Sequence, residues 1–323
     1  MRRAAPALVM ALLAAGCGAQ DVLLGARQGY LFTATDVLAL PGEQVMLRAH
    51  LQGGDLLRDR PGYVVRFSRG GEFYLAAETG PDGVAAVSFA PPAPGDYVVR
   101  ADLAPSGFPA EPPQPVDLLV ACRSADAPLL IVDLDKTLVA SGFQEVLIGR
   151  PEPMPDSVEV MKRLANRYSV VYLTHRPDLF GPKSKAWLRE QGYPAGPLLL
   201  SDIGGFLKGS GAFKSGALAD IRRRFTGPAV GVGDKVSDVQ AYLENGIQGF
   251  LIVQPDEGAG AAGLRQLADA IATLHDEAQV VTAWRQIEAA VFEGTAFQRD
   301  AFVRHLRERA EELQAEAAAA PAK

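Results

Sequence analysis

Two rhythms of apolar residues divide the chain. From Tyr30 to about Leu103 they fall at every second position: Val45, Leu47, Ala49 and Leu51, then Tyr63, Val65 and Phe67, then Ala85, Val87 and Phe89, then Tyr97, Val99, Ala101 and Leu103. A period of two puts alternate side chains on one face of a strand, so these segments predict half-buried strands. Pro41-Gly42, Gly53-Gly54, Pro81-Asp82-Gly83 and Pro94-Gly95 punctuate them as turns, and short strands at that spacing predict an antiparallel β-sandwich. The prolines of Ala104–Pro115 cannot continue a ladder and read as a linker. Val116–Cys122 after it is a candidate last strand of the sandwich.

Beyond Pro128 strands alternate with helical patterns, the signature of a parallel sheet with crossover helices. Leu129–Leu134, "SVVYLTH", "PLLLSD", "AVGVGD" and "FLIV" predict five strands. Between them lie a helix opened by an Asp156/Glu159 capping box, a "PKSKAWLREQG" helix closed by Gly192, an "FKSGALADIRRRF" helix and a "DVQAYLENG" helix stopped by Gly246. The expected fold is α/β, a doubly wound parallel-sheet domain preceded by an all-β sandwich. From Ala261 onward the pattern is helical and ends in an Ala-rich tail; Phe302, Leu306 and Leu313 form a stripe that suits packing on the α/β domain, with membrane contact as the other reading.

The length of 323 residues suits two domains. A net charge of −6 gives no basic footprint, so nucleic acid is not an expected partner. A small phosphorylated substrate stays open, because a bound metal neutralises it locally. Arg2 and Arg3 precede the apolar Ala4–Ala15, too short to span a bilayer, which is the pattern of an export signal. The "LLAAGCG" that follows resembles the lipobox of bacterial lipoproteins, with Ala14 where Leu is preferred. That resemblance implies lipidation at Cys17 and a location in the bacterial cell envelope, lipid-anchored and facing the periplasm. The other reading is a secretory signal with an incidental Cys and release into the periplasm. With Cys17 lipidated only Cys122 remains, so no intrachain disulfide is expected. The predicted boundaries are 1–17 for the signal and lipidation site, 22–122 for the sandwich and linker, 126–275 for the α/β domain and 276–323 for the C-terminal helices and tail.

The chemistry gathers at strand ends. In an open parallel sheet, sites form outside the carboxyl ends of the strands. Asp133 and Asp135 follow the first α/β strand, Thr174 the second and Asp234 the fourth, while Asp238 lies one turn into the next helix. Four acids are expected to converge. Two carboxylates about 4 Å apart repel by roughly 4 kcal/mol at an effective dielectric near 20, so such a group needs a cation. Oxygen-only ligands favour Mg²⁺ over zinc, for which the sequence offers no Cys or His cluster.

"DLDKT" at Asp133–Thr137, "VVYLTH" ending in Thr174 and His175, Lys214 at a helix start and "GVGDKVSD" at Gly231–Asp238 resemble the four ordered motifs of the haloacid dehalogenase superfamily of phosphotransferases. The resemblance implies that Asp133 attacks phosphorus, that Asp135 serves as general acid and base, and that Lys214 holds the nucleophile. It implies Mg²⁺ held by Asp133, Asp234, Asp238 and the backbone carbonyl of Asp135. Thr137, Thr174, His175 and Arg176 are the implied substrate-binding residues. Bland readings stand beside these: Asp135 as a turn cap, Asp238 as a first-turn helix acid, His175 as a structural residue, and Lys208 rather than Lys214 as the motif lysine.

The gaps Leu138–Tyr168 and His175–Phe213 leave no room for a cap domain. A capless site suits a substrate that is itself a large surface. Residues from about Pro128 to Val253 are similar to the catalytic domains of the lipin and actin-patch phosphatidate phosphatases, departing at Thr174-His175 and at Lys136. The expected function is therefore Mg²⁺-dependent hydrolysis of phosphatidate or a related lipid phosphate. The alternatives are a periplasmic phosphatase for soluble or protein phosphomonoesters, and an adhesion or scaffold lipoprotein with an inert phosphatase-like domain. For the sandwich, "PGEQVMLRAHL", "DGVAAVSF" and "PGDYVVRADL" resemble a bacterial immunoglobulin-like module, whose partner the sequence does not name.

Overall fold

A computed structural model describes residues 29–54, 57–106, 108, 112–140, 151–201, 210–254 and 260–319. Cys17 with its leader and Lys208 lie outside them. The chain divides into two compact units, one running to Ala127 and taking in Ser169–Phe213, the other formed by Pro128–Tyr168 and the chain from Lys214 on.

The first unit opens with β1 (Tyr30–Thr35), β2 (Val37–Ala39), β3 (Val45–Gly53), β4 (Arg58–Asp59), β5 (Val64–Arg69), β6 (Glu72–Glu78), β7 (Val84–Phe89), β8 (Gly95–Leu103) and β9 (Val116–Cys122). One sheet runs β1-β3-β4 with β7 also paired to β3; the other runs β2-β9-β8-β5-β6. Alternation of buried and exposed residues along β3, β5, β7 and β8 puts Leu47, Leu51, Val65, Phe67, Val87 and Val99 into one core. The expected antiparallel pairing needs one amendment: β2 runs parallel to β9, with Val37 opposite Val120. The expected linker is also partly tied down, since the Phe108 ring packs 5.2 Å from Tyr30 and 4.8 Å from Tyr63.

The same unit contains β11 (Ser169–Pro177), a 3₁₀ turn (Asp178–Phe180), a helix at Gly181–Glu190 and β12 (Leu198–Ser201), with β11 and β12 parallel. Asp36, between β1 and β2, is buried and joins these parts. Its carboxylate accepts from Leu119 N–H at 2.7 Å, Leu198 N–H at 2.9 Å and Lys185 Nζ at 2.6 Å. Cys122 is buried and free.

The second unit is α/β. Its strands β10 (Leu129–Val132), β13 (Ala229–Gly233), β14 (Gln248–Ile252) and β15 (Gln279–Val281) lie in that order and pair in parallel. Taking the Gly181–Glu190 helix as α2, the unit's helices are α1 (Ser157–Leu164), α3 (Ser210–Arg224, from Lys214 on), α4 (Val236–Glu244), α5 (Ala261–Ala272), α6 (Trp284–Glu293) and α7 (Arg299–Ala319). β15 interrupts the region expected to be helical from Ala261 on. Its three residues are too few to show a strand period.

The Asp156 capping box does not form. Asp156 sits in the left-handed region at φ 60° with no side-chain cap bond, and its carboxylate faces Arg285 at 3.1 Å beside Glu159 at 2.5 Å. Gly246, at φ 66°, does end α4: the left-handed turn lets Ile247 N–H return to the Tyr242 carbonyl at 3.0 Å. On α7 the buried stripe is Val303, Leu306 and Ala310, with Phe302 and Leu313 half-buried, and the helix packs on α5.

Candidate active site

The site residues of the second unit stand at the ends of its most apolar strands. Leu129–Val132 is buried throughout, as is Ala229–Gly233. Asp133 and Asp234 are the first carboxylates after these runs, and Asp238 lies in the first turn of α4. Gly231 is needed here, because a Cβ on it would meet the Tyr242 ring at 2.4 Å. Its absence lets α4 lie close on β13 and bring Asp238 to the strand end.

Asp133, Asp234 and Asp238 each offer a carboxylate oxygen, all within 4.8 Å of one another. Asp135 is not in that group; it is half-buried in the turn beyond β10, where it bridges to Val139. Lys214 completes the cluster from α3. Its ammonium, fully buried, reaches Asp133 Oδ2 at 2.7 Å and Asp238 Oδ2 at 2.6 Å. The other Asp133 oxygen accepts from Leu134 N–H at 2.8 Å.

One ammonium shared by two carboxylates does not treat them alike. Burial alone would raise Asp133, but the charges of Lys214 and Lys235 and the hydrogen bonds from Lys214 and Leu134 outweigh it and hold its carboxyl below the ordinary range. Asp238 is raised, by burial first and against the pull of Lys214. Burial, and then the charge of Asp133, push Asp234 up to about 7. Burial opposes the Lys214 charge, but Asp133 and Asp238 overcome it and raise the ammonium above its usual range.

This donor set fits a divalent cation. The three acids outnumber the buried ammonium, and Oδ1 of Asp234 and Oδ1 of Asp238 are buried without a hydrogen-bond partner among the described residues. Buried polar atoms without partners are uncommon and ask for a ligand. All-oxygen donors suit a hard ion. Thr137 Oγ1, in a fully buried residue, is in the same condition.

Thr174, His175 and Arg176 belong to the first unit, on β11, which runs past them to Pro177. Thr174 is buried, its Oγ1 accepting a long contact of 3.4 Å from Arg176 N–H. Arg176 is buried and donates to Ser184 Oγ at 2.9 Å. The His175 ring lies 6.1 Å from that of Phe213, and its carbonyl accepts from Ser201 Oγ at 3.1 Å.

Sequence reasoning passed over Lys235, whose charge acts on Asp133 and Asp234. It sits inside "GVGDKVSD", so its place beside the acids could have been read. It also missed Trp284 and Gln254, for which no local pattern exists. Trp284 Nε1 donates to the Thr137 carbonyl at 2.9 Å, and Gln254 Nε2 to the Lys136 carbonyl at 3.3 Å.

Residues 130–252 match the family model described as "PITM 1-3, LNS2 domain". This is a phosphatase-related family, in agreement with the lipin-like resemblance of the same segment and with phosphatase-type function in general. No curated protein matches the chain. Among solved structures, the D00-D0 domain of intimin is similar at 21% identity and a TM-score of 0.24, covering 31% of this chain and 50% of its own. The fibronectin(III)-like modules of Clostridium thermocellum CbhA give 15% identity and a TM-score of 0.21, covering 28% of this chain and 94% of theirs. The chain thus spans half the length of the intimin fragment. Among the described residues no helix is long and apolar enough to cross a membrane.

Proposed function

We propose that the protein is a Mg²⁺-dependent phosphomonoester hydrolase of the capless, haloacid dehalogenase-like kind, acting through an aspartyl-phosphate on phosphatidate or a related lipid phosphate. One observation carries this reading: Asp133, Asp234 and Asp238 close within 4.8 Å of one another around the buried Lys214. Asp133, Asp234 and Asp238, with the Asp135 carbonyl, would hold the ion, which when bound neutralises charge on the phosphoryl group.

Asp133 is the nucleophile because its carboxyl stays ionised, with Lys214 fixing one oxygen and Leu134 N–H the other. A bond forms from Asp133 to phosphorus as the bond to the leaving oxygen breaks, and Asp135 delivers the proton to that oxygen. Water then attacks phosphorus and gives a proton to Asp135. The Asp133–phosphoryl bond breaks, and inorganic phosphate leaves. The ammonium of Lys214 balances charge during both displacements. Thr137, with its unpartnered hydroxyl, would bind a phosphoryl oxygen. The motif resemblance assigns substrate binding to Thr174, His175 and Arg176 as well.

Lipidated Cys17 would hold the chain at the bacterial envelope, facing the periplasm, where a lipid phosphate is at hand. The test is phosphate release from phosphatidate in mixed micelles, set against a soluble aryl phosphate and a phosphopeptide, with Asp133→Asn as control. Mg²⁺-dependent release from the lipid, abolished in the control, is expected. Release from the soluble compounds alone would remove the lipid assignment, and no release from any would remove the enzyme.

A further inference from the structure

The turn after β10 carries both Asp135 and Thr137, and its backbone is unusual. Lys136 adopts φ 55°, a left-handed conformation that a residue with a side chain enters only when held there. Inside the turn, the Leu134 carbonyl accepts the N–H groups of Thr137 at 3.3 Å, Leu138 at 2.9 Å and Val139 at 3.0 Å. The carbonyls of Lys136 and Thr137 are taken by side chains from far along the chain. Gln254 Nε2, just past β14, donates to the Lys136 carbonyl, and Trp284 Nε1 donates to that of Thr137.

Both donors are themselves fixed. Trp284 is fully buried at the first turn of α6, directly after β15, which pairs with β14. The start of α6 is secured by Gln286 Oε1, which accepts from Thr282 N–H at 2.7 Å. Gln254 also touches Met154 Sδ at 3.2 Å, and Met154 N–H returns to the Leu138 carbonyl at 2.6 Å. Gln254 and Trp284 therefore grip the turn at two successive peptide groups.

We infer that Trp284 and Gln254 are positioning residues, which hold the strained Lys136 turn so that Asp135 and Thr137 meet the substrate in working geometry. Through Trp284, the part of the chain beyond the expected catalytic domain is thereby a working part of the site. This rests on the phosphatase reading above, and its test separates the two. Trp284→Phe keeps an aromatic ring and removes the donor; Gln254→Ala removes the other donor at a half-buried position, should the first variant fold poorly. Lys136→Gly, added to either, supplies a residue that adopts positive φ without strain.

Turnover of the micellar and aryl phosphates is measured together with amide exchange of segment 134–139. Each single variant should lose about tenfold to a hundredfold in kcat, with KM within about twofold, and exchange in the segment should accelerate. Lys136→Gly in the same chain should restore most of kcat and slow the exchange, which no repair of a merely packed core would do. Wild-type kcat and exchange in both single variants would overturn the inference, as would losses that Lys136→Gly leaves unmended. If the wild-type chain releases no phosphate, the functional reading falls and the exchange arm alone decides whether the grip exists.

Discussion

Lys214 Nζ lies 2.6 Å from Asp238 Oδ2, and both side chains are buried. An ion pair so placed does little for net stability while intact, because desolvation offsets attraction, but removing one partner strands the other. Lys214→Met should cost about 3–5 kcal/mol in urea unfolding, since it leaves two buried carboxylates without their cation. Added Mg²⁺ should recover more stability in this variant than in the wild type. A variant that unfolds at wild-type urea without metal would mean that the cluster is not charged as described.

The raised Asp234 makes metal uptake and stability depend on pH. Its carboxyl, pushed up to about 7 in the folded chain, has an ordinary value of 3.8. Between those values the folded protein holds a proton that the unfolded chain has released, so stability without a divalent cation falls as pH rises through this window and levels off above it. Mg²⁺ binding should expel that proton: about one at pH 6 and about a tenth at pH 8. Calorimetry in buffers of different ionisation enthalpy counts it directly, and equal release at both pH values would contradict the shift.

Asp36 carries a prediction for the first unit. Its buried carboxylate serves Lys185 and two backbone N–H groups, Leu119 in the sandwich and Leu198 at the start of β12. Asp36→Ala orphans all three, with an expected loss of about 3–5 kcal/mol. Asp36→Asn, which keeps an acceptor but loses the charge, should fall in between. Urea unfolding of the full chain measures both, and the two variants matching wild type would show that the joint carries no load.

How far the chain could be read before its structure depended on the range of the forces involved. Strand alternation in β3 and β7, and the unbroken apolar runs of β10 and β13, are local, and so is the ending of α4 at Gly246. The cluster of Asp133, Asp234, Asp238 and Lys214 was legible because each residue sits just past a readable strand or in the first turns of a readable helix. The Asp156 box failed because Arg285, more than a hundred residues away in sequence, competes for both of its acids. β15 was too short for its period to show. Asp36, Gln254 and Trp284 act through partners distant in the chain, and nothing near them in sequence marks that.

Gly231 offers the narrowest test of how the site is built. An ideal Cβ there would stand 2.4 Å from Cγ of Tyr242 and about as close to both ring Cδ atoms, nearer than any real contact. The ring cannot easily withdraw, being fully buried with its hydroxyl donating to the Val232 carbonyl at 3.2 Å. Gly231→Ala must therefore push α4 off β13, at a cost of about 1–3 kcal/mol from overpacking. The same movement carries Asp238 away from Asp133. The variant should stay folded at room temperature, melt at a lower temperature and bind Mg²⁺ more weakly by calorimetry. Adding Tyr242→Leu, which clears the ring, should return part of the Mg²⁺ affinity. If affinity stays at the wild-type level while the melting temperature drops, the packing of α4 does not set the distance between the acids.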